Sequence, residues 1–283
     1  MNSNYDLHFC SDLDSDIQSF RRMVYRYYNT HARTHLPWRI NYDPYHIFIS
    51  EVMLQQTQVD RVMVKFVEFI EHFSDVKTLA YAPLEDVLAY WKGLGYNRRA
   101  ISLRNAARII IESYNGKLPN EPSHLITLPG IGKATAASIT AFAFNQPVVF
   151  LETNIKTVLI YHFLRNKQRI HDTDLFPIAE KVLDRKNPRT WYAALMDYGT
   201  MLKKEVGNLS KRSASYRKQT AFKGSKREIR GNILKHLLAD KSLTCVSLSK
   251  RLKQNPDTLS ILLDNLVAEG MIQCKRGIYS IGK

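Results

Sequence analysis

Two stretches of this 283-residue chain hold residue types whose spacing suits chemistry. The first is LPGIGKATA, residues 128–136. Gly130 and Gly132 stand one residue apart, between a proline and a run of small residues. Glycines so placed let the backbone turn sharply and approach a ligand closely. With the start of the next helix behind them, their amides form a nest for an anion, for which a nucleic-acid phosphate is the natural guest. Lys133 adds a charge. The second stretch is PYHIFISEVML, in which Glu51 interrupts an apolar run. On a helix its neighbours at i−4, i−3 and i+3 are Ile47, Phe48 and Leu54, so the carboxyl lies on a hydrophobic face. Burial raises a carboxyl pKa, and such a group holds a proton near neutral pH for delivery as a general acid. The plainer alternative is a core ion pair with an arginine.

These residues need helices to position them, and the pattern supplies helices. Asp43-Pro44 is a start signal, a side-chain acceptor followed by a residue with preset φ and no amide, for a helix to about Gln55. Residues 57–60, TQVD, resemble a capping box opening a helix through Phe73. Further helices are expected over 15–30, from Pro83 to Trp91, from Arg98 to Tyr114, over 121–127, in KATAASITAFAF, and near 154–164, 174–184 and 189–204. VVFL at 148–151 is the only β-leaning run of this part. From 226 the order is helix, short helix, longer helix and then a hairpin around residues 275–277, the order of a winged helix-turn-helix. That module is read either as a DNA contact or as a packing domain. The expected organisation is a mainly α domain over 1–202, a basic linker over 203–225, and a winged-helix-like α+β module over 226–283.

Composition narrows the partner. There are 41 Lys+Arg against 26 Asp+Glu, a net charge of +15, with 45% hydrophobic and 24% charged residues. This describes a globular chain with a polyanionic partner. The excess is densest over 203–230, which holds 10 basic and 2 acidic residues. The strip is read as a phosphate-tracking surface, with Lys211, Arg212, Arg217 and Lys218 its contacts, or else as a solvated connector. No apolar run is long enough for a membrane span, and the polar, acidic start suits neither a secretory signal nor a transit peptide. Cys10, Cys245 and Cys274 lie too far apart for a disulfide framework or a metal site, so a reduced, cytoplasmic, DNA-associated protein is expected.

Read together, the motifs resemble a known family. LPGIGKATA is similar to the hairpin of the helix-hairpin-helix DNA glycosylases. PWR at 37–39, DPY at 43–45, SEVMLQQTQV at 50–59, GLGYNRRA at 93–100 and LMDYGTM at 195–201 look like the adenine glycosylase (MutY-like) branch. The likeness runs over about residues 35–202. It implies the helix-hairpin-helix glycosylase fold, double-stranded DNA carrying a lesion or mismatch as partner, and excision of a flipped base by a monomer. Glu51 would protonate the base, at N7 for adenine. Glu152, in VVFLETN, would stabilise the sugar cation, the two carboxylates dividing the work as in glycoside hydrolysis. Asn154 would contact the DNA or Glu152, and Asp197 and Ala134 would lie near the base, with a structural ion pair the alternative for Asp197. Gln55 and Gln56 would fill or read the gap left by the flipped base and Tyr96 would intercalate, packing between helices being the alternative for all three.

Four departures shape the expected activity. Glu152 stands where the family's pattern has Asp, adding a methylene; a helix-capping glutamate is its alternative reading. Ala134 stands where bifunctional members carry their lysine, which implies a glycosylase without lyase chemistry. Residues 203–222 contain no cysteine for the [4Fe–4S] cluster of most relatives, so no cluster and no other metal is expected; a monovalent cation at the hairpin stays open. The C-terminal 58 residues are too short for the Nudix-like domain of typical adenine glycosylases, so a preference for adenine opposite 8-oxoguanine does not follow. Adenine is the favoured base; uracil, mismatched thymine or another damaged base is the alternative, and a DNA-binding protein without turnover the second alternative.

Overall fold

The protein was studied as a computed structural model, which describes residues 13–218 and 221–283; Cys10 lies outside them. Helix α1 (Leu13–His31) leads through a 3-10 turn (Pro37–Arg39) to α2 (Pro44–Leu54). Asp43 caps α2 as expected, its Oδ1 accepting the N–H groups of Tyr45 (2.9 Å) and His46 (3.1 Å). There follow α3 (Val59–His72), α4 (Val76–Tyr81), α5 (Leu84–Trp91), α6 (Arg98–Tyr114), α7 (Pro122–Leu125), α8 (Lys133–Phe144), α9 (Thr153–Phe163), α10 (Asp172–Val182) and α11 (Pro188–Glu205). After a 3-10 turn (Leu209–Arg212) come α12 (Lys226–Asp240), β1 (Ser242–Thr244), α13 (Cys245–Leu252), α14 (Pro256–Ala268), β2 (Ile272–Lys275) and β3 (Ile278–Ile281). The strands form one antiparallel sheet in the order β1-β3-β2, with Gln273 opposite Ser280 and Leu243 opposite Tyr279. The architecture is therefore mainly α with a winged-helix-like end. Residues 148–151 form no strand.

The chain packs as two compact units. One comprises residues 13–47, 120–123 and 132–218. Its centre is α8, buried on nearly every side from Ala136 to Ala143 because its small side chains let neighbouring helices approach all round. Phe20 of α1 stands edge-on to His162 and Phe163 of α9 and to Trp191 of α11. Arg21 ties α1 to the end of α10 through the carbonyls of Val182 (2.9 Å) and Leu183 (2.6 Å).

The other unit comprises 48–119, 124–131 and 221–283. Phe66, Phe69, Phe73, Leu79, Trp91, Leu103 and Ile110 form one part of its core, and Ile233, Leu237, Leu248, Leu259, Leu263 and Leu266 another. The winged module is joined to the rest of this unit. Lys241 pairs with Glu85, and Arg104, buried, donates to the carbonyls of Ala82 (2.7 Å) and Lys283 (3.3 Å).

The expected basic linker is folded along its first half. Helix α11 carries on to Glu205, and Ser213 bridges to Ile170 in a parallel register. Residues 57–60 make no capping box. Gln58 is the N-cap without a side-chain bond, and the Thr57 hydroxyl is used by an arginine described below.

His162 points inward, with its Nε2 3.0 Å from the Tyr198 hydroxyl, and loss of solvation holds its pKa down at about 4. The unfolded chain thus takes up a proton first as pH falls. The stability present above about pH 6.5 should be lost on the way down to pH 4, by up to roughly 3 kcal/mol. Urea unfolding at pH 7, 5.5 and 4 should show that decline, and His162→Phe, which keeps the ring packing, should flatten it.

Candidate functional site

The hairpin motif is set by close packing. Gly130 has φ +80, and a Cβ there would meet the Ser102 Cβ at 2.8 Å, so both backbone sign and space demand glycine. Leu128 and Ile131 are buried on either side, and Gly130 O accepts the Gln55 side-chain amide at 3.2 Å. Gly132 is different: its φ of −89 is ordinary extended backbone, with open space about it, so it is not needed for the turn. Its contribution is to be the N-cap of α8 with no side chain to accept the first N–H groups. Gly132, Lys133 and Ala134 are all exposed. The surface this makes is a bare helix start beside a lysine.

Arg99, which sequence reasoning passed over, organises the loops of 48–119. Its Nη1 donates to the carbonyls of Val52 (2.9 Å), Met53 (2.8 Å) and Gln55 (2.7 Å). Its Nη2 donates to the Thr57 hydroxyl (2.9 Å) and the carbonyls of Leu94 (3.2 Å) and Gly95 (3.0 Å). One buried fork therefore satisfies the end of α2 and the turn before α6 together. Burial lowers its pKa to about 10, still leaving it charged at neutral pH. Gln56 is exposed with φ +55, Gln55 half-buried, and Tyr96 half-buried with φ +47.

Glu51 is half-buried on α2, next to the buried Phe48 and Val52. Glu152 is the N-cap of α9. Its Oε1 accepts the N–H groups of Asn154 (2.6 Å) and Ile155 (2.9 Å), while Oε2 accepts the Asn154 amide at 3.3 Å. Desolvation raises the Glu152 pKa, against the pull of Lys203 and of those N–H donors. Lys203 was not foreseen as a neighbour. The same face of α11 carries Gly199, where a Cβ would lie 2.6 Å from the Asn154 carbonyl oxygen, so a missing side chain lets α11 press against the start of α9.

Two expected site residues turn inward. Asp197 is buried and gathers Arg33 Nε (2.7 Å), Arg33 N–H (2.9 Å) and both Arg39 terminal nitrogens (2.8 and 3.0 Å). Desolvation opposes its ionisation, but Arg39 and Arg33 outweigh it and hold the pKa below the usual range. Both oxygens are thus committed, and Asp197 is an ion-pair hub rather than a base-pocket residue. Arg39 belongs to the PWR motif, which was the available signal for this pairing. Arg212 is likewise no phosphate contact. Its guanidinium donates to the carbonyls of Leu164 (3.2 Å), Arg165 (2.9 Å) and Lys167, fastening the segment after α11. Lys211, Arg217 and Lys218 remain exposed. Among the described residues no cluster of His, Cys, Asp or Glu is suited to hold a metal, and the absence of cysteine over 203–222 does not fit a thiolate-bound cluster.

Residues 49–183 match the family model of the HhH-GPD superfamily base excision DNA repair proteins. The chain is 37% identical over 184 residues to an adenine DNA glycosylase of Buchnera aphidicola subsp. Baizongia pistaciae, covering 65% of this chain and 52% of the relative. It is 29% identical over 269 residues to the adenine DNA glycosylase of Mycolicibacterium smegmatis, covering 86% and 89%. The chain spans about half the length of the first of these curated relatives. Among solved structures, a thermostable thymine-DNA glycosylase superposes with a TM-score of 0.60 at 25% identity, over 65% of this chain and 86% of that one.

Asp197→Asn should leave two guanidinium groups short of their counter-charge in the core and destabilise the protein by about 3–5 kcal/mol. Chemical unfolding at neutral pH checks this. A loss under about 1 kcal/mol, the range of an exposed pair, would show that the buried geometry is wrong.

Proposed function

We propose that this chain, whose residues 49–183 match the HhH-GPD superfamily of base excision DNA repair proteins, is a monofunctional DNA N-glycosylase. Its substrate on this reading is double-stranded DNA in which a mispaired or damaged base, adenine foremost, swings out of the duplex and is cut from its sugar. The relatives named as adenine DNA glycosylases support the choice of base. The observation that carries the chemistry is the division of labour at Glu152. One oxygen is spent on the α9 backbone, and the other has only the long contact to Asn154 among its described hydrogen bonds. Helix capping and catalysis are therefore compatible, since each uses its own oxygen.

In this mechanism Glu51 gives its proton to N7 of adenine, and the C1′–N9 bond breaks with its electron pair leaving on a neutral base. Glu152 as carboxylate faces the positive sugar through Oε2, held in place by the Asn154 amide. Water adds at C1′ and gives up a proton to a carboxylate, leaving an abasic site. Burial raises the Glu152 pKa against the ionised form that this role needs, and Lys203 and the helix-start N–H groups oppose that rise. Exposed residues 132–134 and Lys211, Arg217 and Lys218 meet phosphates. Ala134 leaves no lysine for Schiff-base chemistry at that position, and no iron–sulfur cluster takes part. The superposition on a thymine-DNA glycosylase favours a second reading, removal of thymine or uracil opposite guanine by the same two carboxylates.

Single-turnover incubation with duplexes holding A:8-oxoG, A:G, T:G, U:G or hypoxanthine, followed by alkali, tests both readings. Strand cleavage at adenine is expected, falling 100-fold or more in Glu51→Gln. Cleavage only at T:G or U:G selects the second reading, and none anywhere overturns both. Borohydride should trap no protein–DNA adduct; a strong trapped band would overturn the monofunctional assignment.

A further inference from the structure

The C-terminal module presents a contradiction if it is taken as a DNA reader. In a helix-turn-helix the second helix of the pair enters the major groove. Here that helix is α14, and residues 256–269 carry Asp257, Asp264 and Glu269 with no lysine or arginine. Its outer face also holds Ile261, which is 63% exposed. A surface of that sign repels phosphate instead of releasing its counterions. The module does reach a residue of the candidate site by another route. Arg227, in the first turn of α12, donates from Nη1 to the Tyr96 hydroxyl at 2.7 Å, with its Cζ 5.3 Å from the centre of the tyrosine ring.

Tyr96 is otherwise fixed by its own loop. Its φ is +47, between Gly95 at +73 and the start of α6. The Gly95 carbonyl is held by Arg99 and by the Trp91 indole N–H (3.1 Å). The Arg99 Cζ lies 5.6 Å from the ring centre. The backbone under the ring is thus set by Arg99, and the hydroxyl at its far end by Arg227, with both guanidinium groups near its π-face.

We propose that Arg227 is a positioning residue for Tyr96, through which the winged module contributes to lesion recognition while its acidic α14 stays off the DNA. This rests on the reading of Tyr96 as the ring that enters the duplex. A tyrosine already held in one rotamer loses less freedom on insertion, so affinity for a gapped base stack rises.

The test uses the full chain as wild type, Arg227→Ala, Arg227→Lys, Tyr96→Phe and the Arg227→Ala/Tyr96→Phe double variant. Thermal unfolding without DNA should show the two substitutions to be non-additive, since each removes the same hydrogen bond. Binding to a duplex with a tetrahydrofuran abasic analogue, relative to the unmodified duplex, should fall roughly tenfold in Arg227→Ala. The double variant should fall no further, and Arg227→Lys should recover part of the loss. 2-Aminopurine placed opposite the analogue should brighten less in Arg227→Ala, a change that a merely structural role would not produce. If the two substitutions multiply independently, or if the abasic preference of Arg227→Ala equals that of wild type despite coupling in the free protein, the proposal is overturned. Wild type that excises nothing yet loses its abasic preference in Arg227→Ala sinks the glycosylase reading and leaves the clasp standing. Excision intact with no such loss does the reverse.

Discussion

The Arg99 guanidinium collects six neutral oxygens from three places: the end of α2, the turn that follows it, and the loop before α6. Helix ends leave carbonyls without partners, and burying them unpaired is costly. A single planar fork with fixed donor directions answers several at once, which a lysine ammonium does not. The result is that Gln55, Gln56 and Tyr96 hang from one rigid point. The Gly130 hairpin joins the same arrangement through the Gln55 amide and the close approach to Ser102. Residues far apart in sequence become one surface because one cation holds their backbones.

The other unit solves a related problem at Glu152. A helix start needs an acceptor, and the reaction proposed here needs a carboxylate; the glutamate serves both because it has two oxygens. Gly199 lets α11 come close enough that Lys203 bears on the same group. Desolvation raises the carboxyl pKa, while the lysine and the helix-start N–H groups pull it down. Asp197, a few residues away on α11, shows the contrasting outcome. Two arginines and a backbone N–H consume its oxygens, leaving a strut.

Local signals were legible wherever the physics is local. Asp43-Pro44 starts a helix through a bond to N–H groups two and three residues on, and the structure has that bond. Helix α6 begins and ends where its charge and turn residues place it, at Arg98 and Tyr114. Helix α4 and strand β1 escaped, being six and three residues long, too short to show a period. Thr57 looked like a cap and became an acceptor for Arg99, because a buried guanidinium outbids a solvated helix start. Gly132 looked like Gly130 but has an ordinary φ.

The amino-acid sequence by itself determined the helical class, the winged order of the C-terminal part, the hairpin, and the place of Glu51 on an apolar helix face. These follow from periodicity, capping and residue type within a few positions, whereas Glu152 and Asp197 stood out through the family resemblance. Tertiary structure alone decided what those side chains face. It turned Asp197 and Arg212 inward, gave Glu152 a lysine neighbour, and set Arg227 on a tyrosine 131 positions away. Partner choice for a charged or hydrogen-bonding group depends on which distant backbone arrives beside it, and no local pattern encodes that arrival.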